Sequence, residues 1–108
     1  NTYFQVAQSN LGVLNFIYRS GGTYEYLIKT DAVPFADGVF CHIALVQNGV
    51  NAVMYINGVA VAQSIDTYNT TPEAWWNNFT ATDCTIGSRN SASFFDGSID
   101  EVAIWDRV

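Results

Sequence analysis

Charge is scarce in this chain, and positive charge most of all. Ten acidic residues face only four basic ones, Arg19, Lys29, Arg89 and Arg107, for a net charge of −6. The four are scattered and form no patch, which excludes a nucleic-acid backbone as the expected partner, since phosphate contacts need clustered Lys and Arg. Charged residues make up 13% of the chain, against roughly a quarter in an average soluble domain. Uninterrupted apolar runs stop after a few residues, so no segment reads as a membrane span. Cys41 and Cys84 are the only cysteines and lack CxxC spacing, which leaves too few ligands for a zinc centre. A disulfide in an oxidising compartment and two separate thiols, the blander reading, both stand. One histidine, His42, has no serine or cysteine arranged around it as a triad, and its apolar strand setting predicts a buried, hydrogen-bonded structural role.

Against these absences stand a hydrophobic fraction of 49% and an aromatic fraction of 15% over 108 residues. That composition argues against disorder and for one domain with a real core. Residues 1–108 are therefore read as a single domain. Asn1 stands where a start methionine would, with no signal-peptide pattern before it, so the chain is expected to be a piece of a larger polypeptide. The remaining polarity comes from Asn, Thr and Ser, a mix common in secreted and surface-exposed all-β proteins.

Strand signals recur with turns between them and no helical period. Tyr3–Ala7 opens the chain, and Leu11–Arg19 runs through Gly21-Gly22 into Tyr24–Ile28 as a hairpin. Val39–Val46, Ala52–Ile56 and Val59–Ala62 are joined by Asn48-Gly49 and Asn57-Gly58. Both residues of an Asn-Gly pair tolerate positive φ, so this block predicts a three-stranded meander. Residues 65–83 lose regularity and read as a long loop, followed by a short strand over Cys84–Gly87 and a closing strand over Ile99–Trp105. In that last run Ile99, Glu101, Ala103 and Trp105 alternate with Asp100, Val102 and Ile104, the period of a strand on a sheet face. Many short strands without helices indicate an antiparallel sandwich or barrel.

Three blocks in order resemble the laminin G-like and pentraxin-like domains of the concanavalin A-like lectin/glucanase superfamily. Gly38–Val46 is similar to that family's Gly-x-Trp-His-His-Val-Ala-Leu-Val strand, with Phe40 for Trp and Cys41 for the first His. Met54-Tyr55-Ile56-Asn57-Gly58 is similar to its Leu-Tyr-Val-Asp-Gly hairpin, and Ile86–Asn90 with Phe95–Val102 is similar to its terminal block. The resemblance spans Asp37–Val108. It implies an all-β fold, an antiparallel β-sandwich of jelly-roll type. Such domains run to roughly 150–200 residues, so the resemblance also implies a sandwich incomplete at its N-terminus. Its closing strand is then left with an open edge, to be paired by missing N-terminal strands or by other subunits.

The family includes glycosidases, whose chemistry needs two carboxylates facing the scissile bond. The Glu-x-Asp-x-x-Glu and Glu-x-Asp-x-Glu runs of related glucanases do not occur here; Glu25, Glu73 and Glu101 stand apart, and Asp100 and Glu101 point to opposite faces of the predicted strand. No enzyme activity is expected. Within the 65–83 loop, Trp75 and Trp76 sit side by side with Tyr68 and Asn78 nearby. Aromatic faces stack on sugar C–H groups while amides answer hydroxyls, so these four are the candidate ligand-binding residues; one Trp plugging the core and the other covering its edge is the competing reading. The resemblance further implies a structural Ca²⁺, with Asp100 as the candidate metal ligand and carbonyls from the missing N-terminal strands completing the shell. Asn69-Thr70-Thr71 and Asn78-Phe79-Thr80 are glycosylation sequons. The expected function is a non-catalytic recognition module for a glycan or protein partner on an extracellular, cell-surface or virion protein. A structural domain of a virion, fibre or surface layer, and an accessory domain of a glycoside hydrolase or protease, are the alternatives.

Overall fold

In the computed structural model, residues 3–47, 51–67, 84–89 and 92–105 are described. Among them there is no helix; seven strands form two antiparallel sheets. The first sheet has the order β1-β2-β3-β7, from β1 (Tyr3–Gln8), β2 (Leu14–Ser20), β3 (Thr23–Thr30) and β7 (Gln63–Thr67). The second has the order β4-β5-β6, from β4 (Ile43–Val46), β5 (Val53–Ile56) and β6 (Val59–Ala60).

The two described two-residue hairpin turns follow from their residues. Ser20 pairs with Thr23 across Gly21-Gly22, and Ile56 pairs with Val59 across Asn57-Gly58. All four turn residues have positive φ, the type I′ geometry whose twist matches that of paired strands. The Arg19 guanidinium donates to the Gly22 carbonyl and fastens the first turn. Asn57 fastens the second twice: its side-chain Oδ1 accepts from His42 N at 2.9 Å, and its own N–H donates to His42 O at 2.9 Å. The meander is thus formed as its sequence predicts, although the Asn48-Gly49 turn lies outside the described residues.

The core lies between the sheets. Leu14, Phe16, Tyr18 and Ile28 from the first sheet meet Ala52, Met54 and Ile56 from the second, with Phe4, Phe35, Cys41, Leu45, Val61 and Ile65 around them. Phe4 and Phe16 pack as tilted rings 4.4 Å apart, a geometry their quadrupoles favour. Thr30 is buried among these apolar groups, and its hydroxyl accepts from Leu14 N at 3.1 Å, so its burial leaves the oxygen satisfied.

One side chain ties the two sheets through hydrogen bonds. After Val61 N donates to Met54 O, the β6 side of β5 has, among the described residues, no further strand beside it. There Gln63, on β7, accepts from Met54 N and donates to Ala52 O, both at 2.8 Å. Its amide reproduces the donor–acceptor pair of a missing strand residue and satisfies backbone groups that burial would otherwise penalise.

Four expectations change here. Residues 65–67, expected as the start of the long loop, belong to strand β7, paired with β3 from Tyr26↔Thr67 to Thr30↔Gln63. Their pattern hides this, because Ile65 is the only large apolar residue in a run of Gln, Ser, Asp and Thr, and the partner lies far back in the sequence. Cys84–Gly87 forms no strand; Thr85 Oγ1 donates to Ser88 O and Phe95 N to Gly87 O, which fold the segment on itself. Ile99–Trp105 forms no strand either, and all of it is exposed. Glu101 sits at φ 51°, outside the extended region, with its N–H donating to Asp100 Oδ1 at 2.8 Å. Finally, His42 is exposed rather than buried; the hydrogen bonds at this position belong to its backbone, and it is the neighbouring Cys41 that packs toward the core.

Candidate functional site

The strand registers determine what the four-stranded sheet shows on the side away from the core. Buried Phe16 and Ile28 are cross-strand partners, and side chains alternate along each strand. The opposite face therefore carries three rows: Tyr3 beside Arg19; Gln5, Ile17, Leu27 and Asp66; and Ala7, Asn15, Lys29 and Ser64. These side chains are half-buried. Lys29 Nζ lies 3.3 Å from Asp66 Oδ2, and Ser64 Oγ donates to Asp31 Oδ1 at 2.5 Å. Gln5 Oε1 is enclosed and has no hydrogen-bond partner. A phenol, two amides, a guanidinium and a closed ion pair thus share one sheet face with two aliphatic side chains. That set can hydrogen-bond a polar ligand and pack against its apolar parts. Asp66 on this face and Asp31 just beyond β3 are each engaged by another side chain.

Sequence reasoning did not single out this face. The signal was present in the alternation of Tyr3, Gln5, Asn15, Arg19 and Lys29 with core residues, but polar residues at every second position also describe an ordinary solvated sheet face.

The aromatic candidates Tyr68, Trp75 and Trp76, with Asn78, lie outside the described residues, as do both sequons. Asp100 is exposed, and its Oδ1 is taken by Glu101 N. Calcium asks for six to eight oxygens, and among the described residues no three His, Cys, Asp or Glu side chains come together. Cys41 and Cys84 are both free thiols, the first half-buried and the second exposed.

Two antiparallel sheets around an apolar core agree with the match found by comparison, in which the Laminin_G_3 family model, described as concanavalin A-like lectin/glucanases superfamily, covers residues 1–108. The chain belongs to this superfamily. The match takes in β1, β2 and β3 as well as the blocks after Asp37, so the likeness is wider than the motifs alone imply. No curated protein and no solved structure matches the chain at a significant level. Concanavalin A-like domains include both lectins and glucanases, so membership leaves binding and hydrolysis to be argued from the residues themselves.

Proposed function

We propose that this concanavalin A-like domain is a non-catalytic recognition module that binds a glycan or a protein surface, carried on an extracellular, cell-surface or virion protein. The observation that carries the reading is the outward face of β1-β2-β3-β7, which sets the polar Tyr3 and Asn15 beside the aliphatic Ile17 and Leu27 while Asp66 and Asp31 are held by Lys29 and Ser64. Hydrolysis of a glycoside needs two carboxylates free to act as acid and as nucleophile or base, and this face supports hydrogen bonding better than proton transfer. The Asn-, Thr- and Ser-rich, weakly charged composition supports the surface setting.

A glycan array probed with the chain tests this, with Asn15→Ala and Arg19→Ala on the sheet face and Trp75→Ala and Trp76→Ala in the 65–83 region. Binding lost with the first pair supports the sheet face, and binding lost with the second moves the site to the aromatic pair. No glycan bound by any form sinks the saccharide half of the proposal.

A second reading, assembly into a larger structure, is favoured by a different observation. Phe94, Ile104 and Trp105 are 75%, 77% and 70% exposed, and Phe95, Ile99 and Val102 are exposed with them. So much apolar surface in one short stretch marks a place where protein packs. In this reading residues 94–105 are covered by a strand from outside these 108 residues, in the same polypeptide or another subunit.

A further inference from the structure

The Asn57-Gly58 turn combines a structural tie with a reactive dipeptide. We infer that Asn57 is a site of spontaneous deamidation whose isoaspartyl product releases β6 from the meander. The reaction needs no enzyme. The Gly58 amide nitrogen adds to Asn57 Cγ, its hydrogen leaves with the side-chain nitrogen as ammonia, and a succinimide ring closes. Water then opens the ring at one carbonyl or the other, giving aspartate or isoaspartate. Overall one amide and one water become one carboxylate and ammonium, with no change of oxidation state.

Three observations place the reaction here. Asn57 and Gly58 are exposed, and nothing lies within 4 Å of where a Gly58 Cβ would stand, so the attacking nitrogen meets no steric shield. The Asn57 side chain is held toward β4 by the 2.9 Å bond from His42 N to Oδ1, and ring closure requires Cγ to leave that bond and swing over Gly58 N. The Asn57 side chain is thus restrained by one exposed hydrogen bond, beside the backbone bond from Asn57 N to His42 O, and its reaction follows local opening rather than global unfolding. The two products then differ in kind. Aspartate keeps an acceptor where Oδ1 was and preserves the tie to His42. Isoaspartate inserts an extra backbone carbon into a two-residue loop whose length sets the Ile56↔Val59 register. Since β6 is only Val59–Ala60 and both residues are exposed, little else holds it to β5.

The experiment is incubation of the whole chain in heavy-oxygen water at mildly alkaline pH, native and in urea, followed by chymotryptic peptide mapping that separates Asn57 from Asn48. The expected result is heavy-oxygen incorporation at Asn57 in both conditions, about tenfold faster in urea because opening is no longer required. The aspartyl and isoaspartyl forms are then separated by chromatography and compared by hydrogen exchange. Faster exchange at Val59 and Val61 is expected in the isoaspartyl form alone. The N57D variant, which makes the aspartyl product directly, is expected to match the unmodified chain. An unlabelled Asn57 overturns the inference, as does an isoaspartyl form whose β6 exchanges at the original rate.

Discussion

From Leu14 to Tyr18 every second side chain is buried, and each backbone group faces a neighbour on β1 or β3. From Ile99 to Trp105 the same alternation of apolar and polar residues leaves every position exposed and no ladder formed. The two runs differ little in β-propensity. They differ in what stands beside them: the first is the middle strand of a hairpin pair that supplies both neighbours within a few residues, whereas the second has, among the described residues, no strand adjacent in sequence. Period two states which residues would share a face, but burial and pairing are supplied by partners.

The largest effect that would sharpen this contrast is in the first run. Phe16 is fully buried and packed against the tilted ring of Phe4, and Phe16→Ala is expected to cost about 3–5 kcal/mol, from lost transfer energy plus the cavity left between the sheets. Urea unfolding followed by tryptophan fluorescence reads this, and a loss below about 1 kcal/mol would mean that the core is not shared between the sheets.

Next in size is the strut between the sheets. Gln63→Ala removes both the acceptor for Met54 N and the amide donor to Ala52 O, and the loss of these two hydrogen bonds predicts a fall of about 1–3 kcal/mol. Gln63→Glu separates the two bonds: the acceptor survives, but the Ala52 carbonyl then meets a carboxylate instead of a donor. Its stability is expected to fall at least as far as that of the alanine variant. A neutral result for both would show that solvent replaces the amide at the β5 edge.

These two cases also show why the fold was legible in parts. Gly21-Gly22 and Asn57-Gly58 announce hairpins because the turn chemistry is local, and the residues on either side pair as the turn dictates. β7 was missed because its stabilisation is not local: Ile65 reaches the core from a mostly polar run, and Gln63 acts across sheets on a strand it does not neighbour in its ladder. His42 was misjudged for a related reason, since an apolar neighbourhood in sequence does not say which face of the chain turns inward. Glu101 at positive φ carries no sequence warning at all, because non-glycine residues rarely adopt it. The candidate ligand face was written in the sequence only as alternation, and it became visible when the registers placed Gln5, Asn15 and Lys29 on one side of one sheet.

A smaller effect tests whether that face is electrostatically set. Lys29 and Asp66 are each 45% exposed and 3.3 Å apart, so a double-mutant cycle with Lys29→Ala and Asp66→Ala should give a coupling of about 0.2–1 kcal/mol that fades with added salt. A coupling well above this range would mean that the pair is more enclosed, in solution, than its exposure indicates.

The smallest expected effect on stability is in the second run and is the one best able to break the comparison. Trp105 makes the largest apolar contribution to the exposed segment, yet Trp105→Ala in this chain is expected to change unfolding free energy by no more than about 0.5 kcal/mol, as for other surface substitutions. Added charge there should act differently on association: Trp105→Lys and Ile104→Lys are expected to lower any self-association seen by analytical ultracentrifugation, because they interrupt the apolar surface on both faces of the run. If Trp105→Ala instead destabilised the isolated chain as strongly as Phe16→Ala, the segment would be packed against the sheets, and the distinction between a paired and an unpaired strand sequence would fall. If it left stability unchanged but weakened association, exposure of residues 99–105 would follow from the want of a neighbouring strand rather than from any defect in their pattern.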